Sequence, residues 1–149
     1  MNVPVIILSL LNALWFAMGF RLFFLNSRQA AKLLLAPDKR EEPYFSVLAE
    51  ACKFLGGMNL ALSMLSIFCI YFLDSLLSLP LASGIFIALG LAHFSQFWVN
   101  LPHALKERKG QQAIWPVLRK TMRFIFVVDF LLAMANLLMA LVLGLSMPG

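Results

Sequence analysis

FIFVVDFLLAMANLLMALVLGL, residues Phe124–Leu145, carries only two strongly polar side chains, Asp129 and Asn136. Roughly 20 such residues are what an α-helix needs to cross about 30 Å of hydrocarbon. Three further stretches repeat the pattern: Val3–Leu25, Phe45–Leu73 and Leu81–Leu101. The chain has 149 residues, 62% of them hydrophobic and 13% charged, which leaves too little polar surface to hide four such segments in a water-soluble domain. The runs are continuously apolar rather than alternating, so helices are expected and not the strands of a barrel. The reading is all-α: one integral-membrane domain over residues 1–149, an up-down four-helix bundle with helices at about 3–25, 45–73, 81–101 and 121–145.

Charge orients the bundle. All twelve Lys and Arg residues lie in or beside the first and third connectors: Arg28, Lys32, Lys39 and Arg40 in one, Lys106, Arg108, Lys109, Arg119 and Lys120 in the other, with Arg21, Lys53 and Arg123 just inside the adjoining helix ends. The positive-inside rule then puts connectors 26–44 and 102–120 in the cytoplasm and both termini on the extracytoplasmic side. A bacterial inner membrane is preferred to an organelle membrane. The net charge of +5 serves topology first and attraction to anionic lipid second, and nucleic acid is not an expected partner. Val3–Leu25 is read as a retained first helix and not a secretory signal, because no basic segment precedes it and its apolar run is too long.

Between the first two helices, Ala30, Ala31, Leu34 and Leu35 set against Arg28 and Lys32 predict a short interfacial helix ended by Pro37. Asp74, the Ser-Leu repeat and Pro80 predict a tight outer turn. The third connector, Lys106–Gln112, leads past Gly110 to Trp115 and Pro116 at headgroup level.

Ionisable side chains inside a span cost at least about 2.5 kcal/mol near its centre and should face a partner or a cavity. Counted from the basic ends, Lys53, His93 and Asp129 fall roughly 12 to 14 Å deep, and Arg21, Glu50, Asn100 and Arg123 lie in a shallower layer. Glu50, Lys53 and Gly57 share one helix face, as do His93, Gln96 and Asn100, and as do Asp129 and Asn136. The expectation is an intramembrane polar cluster of Lys53, His93, Gln96, Asp129, Glu50, Arg21, Arg123 and Asn100. Within it Lys53 pairs with Asp129, Glu50 meets Arg21 or Arg123, and His93 with Gln96 adds hydrogen bonds. Two plainer readings stand beside it: the cluster only fixes helix register, or the shallow charges snorkel into water. A second stripe, Cys52, Gly56, Asn59, Ser63 and Ser66, suits close packing on a neighbouring helix or docking of another membrane protein. Cys52 and Cys69 lie roughly 25 Å apart along one helix and cannot pair with each other.

Catalytic patterns are scarce. His93 and His103 sit about 15 Å apart along one axis, too far to ligate one metal or haem together. Gly56-Gly57 lies inside a helix and cradles no phosphate, and neither a nucleophile elbow nor a Cys-x-x-Cys pair occurs. No catalytic, cofactor or metal residues are assigned, and an enzyme ranks below a binding or scaffold role.

Lys53-Phe54-Leu55-Gly56 followed in the next helix by Ala92-His93-Phe94 resembles the ergosterol-biosynthesis scaffold family of four-span membrane proteins, which places Arg-x-x-Gly and then His-Phe at about this separation. Lys53 stands where that family has arginine, and the acidic residue expected after His-Phe is absent, Gln96 being the nearest polar group. The hydropathy and Gly-rich second helix also resemble DoxX-like four-span proteins. The first resemblance implies a non-enzymatic accessory or scaffold subunit for lipid- or sterol-modifying membrane proteins. The expected partners are membrane lipids, other integral membrane proteins or a second copy of the chain. Two rivals accompany it: a small carrier or binding protein for a lipophilic or protonatable molecule lined by Lys53, His93 and Asp129, and a quinone- or haem-associated redox subunit using His93.

Overall fold

The computed structural model describes residues 3–41, 43–72 and 78–146, and the outer turn expected around Asp74 falls on residues 73–77, outside them. The described residues are all-α. Helix α1, Val3–Phe20, runs on through a wider π-type turn, Arg21–Leu25, into the short helix α2, Ser27–Leu34. Helices α3, Pro43–Phe72, α4, Leu79–Arg108, and α5, Lys120–Leu145, complete the chain. Four helices, Val3–Leu25, α3, α4 and α5, are long and apolar enough to cross a membrane.

The helices assemble as two antiparallel pairs, α1 with α3 and α4 with α5, which meet mainly along α1 and α5. Small residues set the first seam. A Cβ on Gly56 would lie 2.6 Å from the Phe24 backbone nitrogen, and one on Gly19 would lie 2.6 Å from the Asn59 side chain, so the two glycines let α1 and α3 touch backbone to side chain. Ser63 Oγ donates to the Ala13 carbonyl across this seam at 2.9 Å. In the second seam Ser83 Oγ donates to the Ala140 carbonyl at 2.9 Å, Gly90 admits Leu137, and Phe97 stacks on Phe126. All four long helices contribute to the apolar core at the end remote from the basic connectors, around Val5, Leu8, Phe86, Leu89 and Leu143. Large apolar side chains such as Leu14, Phe54 and Tyr71 point outward over the full length of the helices.

Helix α4 continues to Arg108, two turns past the expected limit at Leu101, with Pro102 inside it. Hydropathy falls there but helix propensity does not, since Ala104, Leu105, Lys106 and Glu107 are good helix formers. The stop comes at Gly110, with φ of +69°: its N–H donates to the Glu107 carbonyl and the Gln111 N–H to the Lys106 carbonyl, the crossed pair of bonds that ends helices in a left-handed glycine. The following loop folds back on α4. Glu107 accepts the backbone N–H groups of Val117 and Leu118, and Trp115 Nε1 donates to Asn100 Oδ1 at 2.9 Å.

The short helix α2 lies against α3. Ala30 and Ala31 are fully buried, Ala31 packs with Phe45 and Ala49, and the Arg28 guanidinium stands 5.4 Å over the Phe45 ring. Its apolar side is therefore a contact within the protein.

Candidate functional site

At the meeting line of the two pairs lies a group of polar side chains that are buried completely: Asn12 from α1, His93 from α4, and Asp129 and Asn136 from α5. Each sits on the inward stripe of its helix, one turn or two from the next buried residue, so the heptad-like spacing of Asp129 and Asn136 brings both to the same seam. Asn12 and Asn136 face each other amide to amide. Asn12 Nδ2 donates to Asn136 Oδ1 at 2.8 Å, and Asn136 Nδ2 donates back to Asn12 Oδ1 at 2.9 Å and to the Leu132 carbonyl at 2.7 Å. His93 bridges this pair to Asp129, with Nε2 at 3.0 Å from Asn12 Oδ1 and Nδ1 at 3.1 Å from Asp129 Oδ1. Trp15 Nε1 donates to the same Asp129 oxygen at 2.9 Å, and Phe16 stacks on the His93 ring with centroids 4.5 Å apart. Asp129 Oδ2 is buried without a partner among the described residues.

Towards the basic end the two pairs separate. An apolar cleft of about 210 Å³ lies between Trp15, Gly19, Asn59, Thr121 and Phe124, and a second of about 340 Å³ runs under α2 between Leu34, Leu55, Val99 and Trp115. Both are lined by Phe23, Gln96 and Ile125, so the two clefts adjoin, and together they are termed the crevice. Gln96 lines both clefts, and its side chain takes part in no hydrogen bond among the described residues.

Of the residues expected to cluster, His93 and Asp129 come together, and the pairing expected between Lys53 and Asp129 does not form. Lys53 Nζ lies 2.8 Å from Glu50 Oε2 on the outer side of α3, both side chains well exposed, because the Lys53 stem is long enough to carry its ammonium towards the basic end. Glu50 therefore meets neither Arg21 nor Arg123, both of which are exposed at that end. Asn100 turns away from His93: it accepts from Trp115 and donates to the Gln96 carbonyl at 2.8 Å. Gln96 lines the crevice and does not bond His93. Asn12 and Trp15 are the members that sequence reasoning missed. The signal was available, since Asn12 is the one amide in the apolar run of α1 and, in an antiparallel arrangement, faces the level of Asn136.

The small-residue stripe of Cys52, Gly56, Asn59, Ser63 and Ser66 is buried, with Gly56, Asn59 and Ser63 in direct contact with α1. It packs a helix of the same chain, and no free docking face remains there. Among the described residues no group of three His, Cys, Asp or Glu side chains could hold a metal ion. Haem ligation through His93 does not fit this arrangement, because both ring nitrogens are already engaged.

No protein-family model, curated protein or solved structure matches the chain.

Proposed function

We propose that the protein is a four-span integral membrane protein that binds a lipophilic small molecule in the crevice between its helix pairs, with connectors 26–44 and 102–120 on the cytoplasmic side. The observation that carries this reading is the crevice itself: two adjoining cavities of about 210 and 340 Å³, mostly apolar, with Gln96 among the few polar residues that line both. Small-molecule sites are of this kind, mostly apolar with few polar groups that fix orientation, and typically about 300 Å³ or more. The occupant is a molecule with a long apolar body and one hydrogen-bonding group, a carbonyl or hydroxyl, set against Gln96.

The scaffold role is the weaker reading, since the stripe considered for docking is covered by α1. Native mass spectrometry of the protein, released from membranes in mild detergent, tests the two together. One lipophilic adduct per chain is expected, reduced in Gln96→Leu and in the crevice-filling Thr121→Trp. A stoichiometric protein partner without any adduct would instead favour the accessory-subunit role.

A further inference from the structure

The direction of each hydrogen bond in the buried cluster can be traced from one fixed point. The Leu132 carbonyl oxygen can only accept, so the Asn136 atom 2.7 Å from it is Nδ2. That leaves Asn136 Oδ1 for the Asn12 Nδ2 donor, and turns Asn12 Oδ1 towards both Asn136 Nδ2 and His93 Nε2. An amide oxygen donates nothing, so His93 Nε2 carries a hydrogen. The other ring nitrogen faces Asp129 Oδ1 at 3.1 Å. With a neutral ring, Nδ1 is a bare acceptor and Asp129 must supply the hydrogen between them. With a hydrogen on Nδ1 as well, the ring is a cation beside a carboxylate. Either way the pair holds one proton more than a neutral imidazole next to a carboxylate.

We propose that His93 and Asp129 form a proton-binding site inside the bundle, taking one proton from water and carrying no net charge when loaded. Asp129 Oδ1 accepts from Trp15 Nε1 while facing His93 Nδ1, and the hydroxyl oxygen of a carboxylic acid can accept from the indole and donate to the imidazole at once. Oδ2 then remains as a carbonyl oxygen, whose burial without a partner costs far less than burial of half a carboxylate charge. No further charge faces the pair among the described residues: α1 presents Asn12, Trp15 and Phe16, α5 presents Asn136, α3 turns Asn59 and Ser63 towards α1, its Lys53 lies on Glu50, and Arg123 is exposed. Release of the proton leaves one ring hydrogen for two acceptors: on Nε2 it sets the Nδ1 lone pair against a carboxylate oxygen, and on Nδ1 it sets a bare Nε2 against Asn12 Oδ1, so His93 loses one of its two bonds. Trp15 belongs both to this site and to the crevice wall, so proton occupancy and crevice shape share a side chain.

Nitrogen-15 NMR of histidine-labelled protein in nanodiscs at neutral pH tests the site, with His103→Gln leaving His93 as the only signal. The expected reading is a protonated Nε2, with Nδ1 either protonated or a hydrogen-bonded acceptor. A neutral ring with Nδ1–H and a bare Nε2 overturns the proposal. In Asn136→Ala the Leu132 carbonyl no longer dictates how the Asn12 amide is turned, and the bare-Nε2 form should gain signal. An unchanged Nε2–H in that variant overturns the wiring on which the proposal stands. If Asn136→Ala does not fold, the wild-type tautomer decides alone. The result is independent of the crevice reading, which is judged by the bound adduct.

Discussion

Asn12 and Asn136, 124 residues apart in the chain, exchange two amide hydrogen bonds at the centre of the seam between the helix pairs. The reciprocal geometry satisfies both side chains only as a pair. Asn12→Leu or Asn136→Leu alone should each destabilise the bundle, and the double variant should lose less than the sum of the two. Interhelical hydrogen bonds in membranes average about 0.6 kcal/mol and reach about 1.7, which sets the expected coupling. A double-mutant cycle of unfolding in mixed micelles measures it, and strict additivity would show that the two amides act separately.

Asp129→Asn probes the same seam from its other end. A single atom of Asp129 meets both the Trp15 indole and the His93 ring. An amide oxygen can accept from the indole but cannot donate to a bare Nδ1, and a hydrogen placed on Nδ1 leaves either a bare Nε2 against Asn12 or a ring cation with no carboxylate beside it, so an interaction is lost in each case. The expected loss is about 1–3 kcal/mol of stability. Lys53→Met, by contrast, removes only an exposed pair with Glu50 and should change stability by less than about 0.5 kcal/mol. Equal effects of the two substitutions would contradict the arrangement described.

Neighbouring glycines offer an internal control. Gly56→Ala drives a methyl group into the backbone of Phe24 and should part α1 from α3 at a cost of about 1–3 kcal/mol. Gly57→Ala meets nothing within 4 Å and should be neutral or stabilising by up to about 1 kcal/mol through helix propensity. Thermal unfolding followed by circular dichroism separates them, and a harmless Gly56→Ala would show that the seam is looser than the contacts indicate.

The Glu107 carboxylate holds the loop after α4 at Val117 and Leu118, beside the Trp115–Asn100 bond. Glu107→Ala should free the Val117 and Leu118 amides and loosen the backbone next to the exposed Arg119 and Lys120, which trypsin can then bind in an extended conformation. Cleavage several-fold faster than in the parent is expected with inside-out vesicles and not with right-side-out ones. Fast cleavage in right-side-out vesicles would reverse the proposed orientation.

Four long helices were legible from hydropathy because outward-facing and core-facing positions are both apolar here, so the runs have no gaps. The end of α4 was less legible: polarity begins at Pro102, whereas the backbone stops turning only where Gly110 can take a left-handed conformation. Depth along each helix correctly aligned His93 with Asp129, since a rise per residue converts position into height. It could not supply azimuth, and charge attraction alone suggested Lys53 as the partner of Asp129. A flexible stem leads that ammonium out to Glu50, while two stiff ring side chains, an indole and an imidazole, meet Asp129 in the interior. Asn12 was legible in the same way, as an amide in an apolar run at the level of Asn136, but a search for ionisable groups alone passes over it.

Among the described residues the crevice lies towards the basic end of the bundle, and Val5, Leu8, Phe86 and Leu143 fill the other. In the proposed orientation a guest would be recruited from, and returned to, the inner monolayer alone. The protein would therefore sense the composition of a single leaflet, and the same guest delivered to the opposite monolayer would reach it only after crossing the bilayer on its own.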